Sequence, residues 1–167
     1  MDIVIRWTRR EDERDARHRI THRAWQAAYG HIYTAAEIEA FFAGRLAQTA
    51  SWTANRAAPI GTLVAARGHE GSLVGFASLA ALRGDEGELG ALYALPDDQG
   101  AGVGRALWDA SLAALRERGL TAMQVWVLDR ASQAIRFYEA RGCVLFASGT
   151  YGVGGHVEPV RGYRISL

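Results

Sequence analysis

Two hydrophobic periods alternate along the chain. Ile3–Trp7 switches between apolar and polar residues as a strand does. A helix follows, opened by Thr8 or by the acidic pair Glu11/Asp12, with Ala16, Ile20, Ala24, Ala27 and Ala28 on one face and an end near Gly30. Ile38, Phe41, Phe42 and Leu46 repeat the helical spacing over Ala35–Gln48, and Ser51–Pro59 reads as a connector. Gly61–Arg67 and Leu73–Leu82 are apolar strands joined by the hairpin-type turn GHEGS. A second turn, RGDEG, leads into Glu88–Leu95, a strand closed by Pro96. The helical period returns over Gly102–Arg118, and Leu120–Leu128 is another buried strand, so this unit predicts a right-handed parallel crossover. A last helix, Ala131–Arg141, carries Ala131, Ala134, Ile135 and Tyr138 along one side and stops at Gly142. Cys143–Ala147 and Val157–Leu167 close the pattern as strands, with the glycine-rich SGTYGVGGH as a mobile connector between them. The pattern predicts one α/β domain over residues 1–167 with a mixed sheet and no internal repeat or linker.

Composition narrows the function classes. At 167 residues the chain suffices for one real core. With 49% apolar and 22% charged residues it is a globular chain and not a disordered one. A net charge of +1 gives no electrostatic case for nucleic acid or a membrane surface, so neither is expected as a partner. The N-terminus lacks an apolar signal core and no run reaches the ~18 apolar residues of a membrane span, so a cytoplasmic location is expected. Cys143 is the only cysteine, which excludes an internal disulfide and suits a buried packing role better than a nucleophile.

Gln99–Gly104 (QGAGVG) joins a strand to a helix. Such a turn sets unpaired backbone N–H groups at the positive end of a helix dipole, where a phosphate or pyrophosphate is favoured. The alternative is a tight turn that opens a helix and binds nothing. A P-loop is excluded because the chain contains no lysine. A dinucleotide fingerprint begun at Gly100 puts Arg105 where its third glycine belongs and lacks the acidic residue about 20 positions on.

Gln99-x-x-Gly102-x-Gly104 resembles the Q/R-x-x-G-x-G/A signature of the GCN5-related N-acetyltransferases, and the flanks ELGALYALPDDQGAGVGRAL and VWVLDRASQAIRFYEARGC are similar to that family's key strand, helix and late Phe-Tyr-Glu run. The tightest resemblance covers Glu88 to about Phe146. It implies a mixed, mostly antiparallel sheet of about six or seven strands, helices on both faces, and a splay between two parallel strands. It also implies acetyl-CoA as co-substrate. By the resemblance, Leu92 offers its N–H near the acetyl oxygen, and Tyr93 and Ala94 border the pantetheine. Gln99, Gly100, Ala101, Gly102, Val103 and Gly104 hold the pyrophosphate, with Arg105 adding charge. The family commonly dimerises, and the sequence leaves that open.

The resemblance also assigns proton chemistry. Tyr138 matches the tyrosine that sits near the CoA sulfur as general acid; a phenol of pKa about 10 keeps its proton at neutral pH. The alternative is a core tyrosine capping a backbone group. Glu88 stands where several members carry a general base, which an alkylamine of pKa about 10.4 requires near pH 7. Alternatively it is a solvated strand-edge glutamate, and His31 competes for the base role. Trp25, Tyr29, His31 and Tyr33 fall where the family builds its acceptor pocket, although Trp25 and Tyr29, four apart on a helix, also fit simple packing on the sheet. One departure is Ala131, where many members have an asparagine that contacts the cofactor; Ser132 or Asp129 are candidates to compensate. His18 and His22 are a weak metal pair with no third ligand, so no metal is expected.

The function expected is acetyl transfer from acetyl-CoA to a primary amine, on a small molecule or a peptide, by direct attack. The alternatives are a non-catalytic acyl-CoA-binding sensor with the same fold and a nucleotide-phosphate binder.

Overall fold

Strand-forming and helix-forming stretches alternate in the order the periods predict. The computed structural model describes residues 2–9, 13–44, 46, 48–51 and 56–167. The elements are β1 (Ile3–Trp7), α1 (Glu13–Tyr29), α2 (Ala35–Phe42), β2 (Gln48–Ala50), β3 (Arg56–Arg67), β4 (Leu73–Leu82), β5 (Glu86–Ala94), α3 (Val103–Glu117), β6 (Ala122–Leu128), α4 (Ser132–Glu139), β7 (Val144–Val153) and β8 (His156–Ser166). The sheet has eight strands in the order β1-β3-β4-β5-β6-β8-β7-β2. Only β5 and β6 run parallel; the other neighbours are antiparallel. No helix among the described residues is long and apolar enough to cross a membrane.

Three expectations shift. The second helix stops at Phe42, because Gly44 turns to φ +72° and breaks the helical path. The rest of that amphipathic stretch divides: Leu46 packs on Gly154, and Gln48–Ala50 joins the sheet against Tyr151–Val153. The connector expected over Ser51–Pro59 yields to β3 from Arg56, with residues 52–55 outside those described. The glycine-rich SGTYGVGGH is not a mobile connector. It is strand up to Val153, paired along β8, with the turn confined to Gly154 and Gly155. Acidic Glu11 and Asp12 lie outside the described residues; the helix they were expected to open is present from Glu13.

Helices cover both faces. α3 buries Val103, Leu107, Trp108, Ser111, Leu112 and Leu115 at helical spacing, against Leu79 and Leu89 of the sheet. It lies close because Gly87 carries no side chain; a Cβ there would stand 2.8 Å from Leu115. α1 and α2 cover the other face, where Trp25, Ile38, Tyr151 and Val153 form a second core. α2 begins with a capping box: the Glu37 N–H donates to Thr34 Oγ1 (3.2 Å), and the Thr34 N–H donates to Glu37 Oε2 (2.7 Å).

The feature that positions the site is a parting of the two parallel strands. β5 and β6 pair only from Glu86 and Ala122 to Leu89 and Val125. Beyond that, β5 follows β4 to Ala94 while β6 follows β8 to Leu128. A bulge marks the point: Leu79 faces Leu89, Ser78 faces Ala91, and Gly90 has no opposite number.

Candidate active site

Where the strands part, the β5 backbone turns outward. The Leu95 N–H donates to the Val74 carbonyl (2.8 Å), and antiparallel alternation gives β4 the Tyr93 N–H as well. The N–H groups of Leu92 and Ala94 therefore face the gap. The bulge at Gly90 also resets the faces of β5. Leu89, Leu92 and Ala94 pack on the α3 side, while Ala91 and Tyr93 pack on the α1 side.

β5 runs through one turn of 3-10 helix, Pro96–Asp98, into the glycine segment. Gly100 and Gly102 hold φ of +83° and +86°, conformations that favour glycine. Gly102 is the N-cap residue of α3, and no side chain caps that end. Ala106 makes the first helical bond, to the Gly102 carbonyl (2.9 Å), so the N–H groups of Val103, Gly104 and Arg105 are left at the helix end. The Gln99 and Ala101 N–H groups instead turn back in long 3.3 Å bonds to Pro96 and Asp98. A Cβ on Gly100 or Gly102 would meet nothing within 4 Å, so the space over this backbone is open. Two ion pairs steady the segment: Arg67 with the buried Asp98 (2.7 Å) and Arg23 with Asp97 (2.8 Å). The exposed Arg105 sits 3.8 Å from Asp109. The uncapped helix end and the open backbone suit a pyrophosphate, and the outward N–H groups of β5 suit an amide-bearing arm.

Both features border one cleft of about 700 Å³. Its walls include Leu92, Tyr93 and Ala94, the glycine turn at Gln99, Gly100, Gly102 and Gly104, and the exposed side of α4. Tyr138 is in this wall, 7% exposed, with Trp108 behind it (ring centres 5.7 Å apart). Burial raises its phenol well above the ordinary value, with Tyr93 and Cys143 adding and Arg141 opposing. Tyr29 and His31 line the same cleft. The His31 Nε2–H donates to the Arg130 carbonyl (3.1 Å).

Trp25 and Tyr33 lie behind the cleft instead of in it. Trp25 is 5% exposed, stacked on Phe41 (4.9 Å), and its Nε1–H donates to Tyr93 Oη (3.0 Å). Tyr33 is buried against Trp25 and His156, and burial pushes its phenol up to about 12. Glu88 is buried, which sets aside the solvated strand-edge alternative. It pairs with Ala80 on one side and Gln124 on the other, one residue before the strands part. Its side chain alternates with Gly87 and Leu89, so it shares the α1 face with Tyr93.

Ala131 is buried and lines the cleft at the start of α4, with no side-chain cap there. Of the two residues considered as compensation, Asp129 is committed to an ion pair with Arg161, whereas Ser132 lines the cleft. Sequence reasoning missed Ala24, Ala27 and Ala28 as cleft wall, because a small-residue face on α1 looks like any core-facing stripe. It also missed Arg136 and Arg141; the Arg141 guanidinium lies 3.4 Å from the Phe137 ring centre.

The acetyltransferase (GNAT) family model matches residues 18–143. A mycothiol acetyltransferase from Thermobispora bispora is 39% identical over 90 residues, half of this chain and 30% of that protein. The uncharacterized N-acetyltransferase YuaI of Bacillus subtilis is 39% identical over 79 residues, 45% of each chain. This chain thus spans about a third to a half of the length of these relatives. PaiA N-acetyltransferase from Thermoplasma acidophilum, solved with coenzyme A, superposes over the whole of both chains with a TM-score of 0.75 at 17% identity. YncA of Salmonella typhimurium, solved with acetyl-CoA, gives a TM-score of 0.67 at 19% identity over 100% of this chain and 95% of its own. With its parted parallel strands, its glycine turn at a helix end and a family match over most of its length, the chain belongs to the acetyltransferase (GNAT) family.

Proposed function

We propose that residues 1–167 act as one N-acetyltransferase unit that moves the acetyl group of acetyl-CoA to a primary amine by direct attack. The observation that carries this reading is continuity. The N–H groups of Leu92 and Ala94, turned out of the sheet, lead along one cleft to the free N–H groups at the start of α3. An amide-bearing arm laid in the gap pairs with β5 as an added strand would. Its pyrophosphate then meets Gly100, Gly102, Val103, Gly104 and Arg105 at the helix end.

In this reading the Leu92 N–H donates to the acetyl oxygen as it gains charge. The amine nitrogen bonds to the acetyl carbon and the carbon–sulfur bond breaks. Tyr138 gives its proton to the departing sulfur and recovers one from the nitrogen, whose N–H becomes acidic as the new bond forms. A phenol held above its ordinary pKa releases that proton only in concert with cleavage, which keeps Tyr138 loaded throughout the working range. Glu88, on the α1 face at the base of the parting, takes up the proton that the incoming ammonium must lose, by way of water.

The acceptor is a small-molecule or peptide amine. Similarity to mycothiol acetyltransferases makes small-molecule amines the first to test. The experiment is calorimetric titration with acetyl-CoA, ADP and pantetheine. Acetyl-CoA is expected to bind well above either fragment, because backbone and helix end each hold one half. Equal binding of ADP, or no binding of acetyl-CoA, would overturn the reading.

A further inference from the structure

We propose that a second cavity, outside the cofactor cleft, binds a free α-amino acid with an apolar side chain and acts from there on the turn that leads to the glycine segment.

This cavity, about 440 Å³, lies where α1 passes β1, the turn between β3 and β4, and the end of β5. It shares no lining residue with the cleft, and its size falls within the ~300–1,000 Å³ usual for small-molecule sites. Its buried lining is apolar: Ile20 is 2% exposed, and Leu73 and Leu95 pack around the same cluster. The rest of its lining carries both signs of charge. Arg6 and Arg23 already have carboxylates, Glu13 at 2.5 Å and Asp97 at 2.8 Å. Arg19 and Glu70 have none of their own. Arg19 is on α1 and Glu70 on the β3–β4 turn, and neither side chain has a hydrogen bond or ion pair among the described residues. Two opposite charges border one cavity without meeting.

That arrangement selects by charge. A simple carboxylate satisfies Arg19 but faces Glu70 and Glu13 with no positive group of its own, and a phosphate dianion fares worse. A simple amine meets the mirror difficulty at three guanidinium groups. A zwitterion answers both: its carboxylate accepts from the Arg19 guanidinium and its ammonium donates to Glu70. An apolar side chain on the same α-carbon then covers Ile20, Leu73 and Leu95.

The position gives binding a consequence. Leu95 directly precedes the Pro96–Asp98 turn, and Arg23 holds Asp97 within it. The cluster beneath the ligand continues through Ala91 and Tyr93 of β5. A side chain seated on Leu95 steadies the segment that runs to Gln99, so the amino acid and acetyl-CoA strengthen one another's binding; this step rests on the cleft holding that cofactor.

Calorimetric titration with L-leucine, without acetyl-CoA so that nothing turns over, tests the site. The comparison compounds 4-methylpentanoate, L-leucinamide and glycine each lack one of the three features. L-leucine is expected to give a saturable isotherm, with each comparison compound about tenfold weaker or worse. Arg19→Gln and Glu70→Gln, exposed positions where folding is not at stake, should each weaken L-leucine about tenfold. Saturating L-leucine should tighten acetyl-CoA about fivefold in wild-type protein and not in either variant. No saturable binding of L-leucine, equal binding of 4-methylpentanoate, or undiminished binding in both variants would overturn the site. An acetyl-CoA affinity unmoved by bound L-leucine would overturn its action on the turn. Failure to bind acetyl-CoA at all would instead overturn the reading of the cleft.

Discussion

The two halves of the cleft are built on different principles. In the proposed reading the donor half is made of backbone: outward N–H groups on β5 and the uncapped start of α3, with glycine where φ must be positive. In the proposed reading the acceptor half is made of side chains: Tyr29, Tyr93 and His31, beside an aromatic cluster around Trp25 that gathers α1, α2 and β7. Backbone chemistry constrains residue type tightly, because few residues permit a given φ or leave a groove open. Side-chain chemistry constrains it loosely, because many aromatic arrangements fill the same volume. The donor half is therefore expected to tolerate fewer substitutions than the acceptor half.

Substitutions on each side can break or sharpen that contrast. The largest effect is expected at Tyr138, on the seam between the halves. Tyr138→Phe should lower kcat about 100- to 10,000-fold with acetyl-CoA binding intact; unchanged turnover would remove Tyr138 from the chemistry. Its pH profile carries a sign. A proton donor works below its pKa, and burial raises this one above the ordinary 10, so no loss of kcat from Tyr138 is expected as pH rises toward 10. An alkaline fall between pH 8 and 9 that Tyr138→Phe abolishes would contradict this.

Next in size is Gly102. A side chain at φ +86° costs about 1–2 kcal/mol, so Gly102→Ala should weaken acetyl-CoA binding roughly 5- to 30-fold by calorimetry. Gly104 is the control within the same motif. Its Cβ would sit 3.5 Å from Phe137, an ordinary contact, so Gly104→Ala should change binding by no more than about twofold. Comparable losses at both glycines would mean that packing, and not backbone conformation, decides the donor half.

The smallest effect concerns the frame of the acceptor half. Glu158 accepts hydrogen bonds from Arg130 and His156, and His156 also reaches Glu37 at the start of α2. Arg130, foremost, holds the Glu158 carboxyl below the ordinary 4.5, so its stabilising effect is present above that pH and fades as pH falls through the lowered value. Glu158→Gln should lower Tm at pH 7 and much less at pH 3. An equal loss at both would assign the effect to packing instead of charge.

How much was legible follows the same division. Q-x-x-G-x-G fixes the turn because Gly102 needs a positive φ, so its conformation is written in residue type. The period of Val103, Leu107, Ser111 and Leu115 likewise fixes α3 and its buried face. Glu88 was harder. It lies five positions before Tyr93, an odd offset that would put the two on opposite faces of a regular strand; the unpaired Gly90 brings them to the same one. Strand alternation alone does not reveal a bulge. Gly149, Gly152 and Gly154 looked like a mobile segment because composition does not distinguish a flexible loop from a glycine strand packed closely on Trp126 and Leu46.

The sequence alone determined most of the elements, the glycine turn and the family resemblance, because each depends on local periodicity or on conformations that few residues can adopt. Only the tertiary structure decided that Gln48–Ala50 is an eighth strand, that Tyr29 and His31 face the cleft while Trp25 and Tyr33 stand behind it, and that Trp25 meets Tyr93 across 68 positions of chain. Those outcomes depend on which distant surfaces meet. Packing settles that through total volume and hydrogen-bond satisfaction, and neither quantity is carried by any one stretch of sequence.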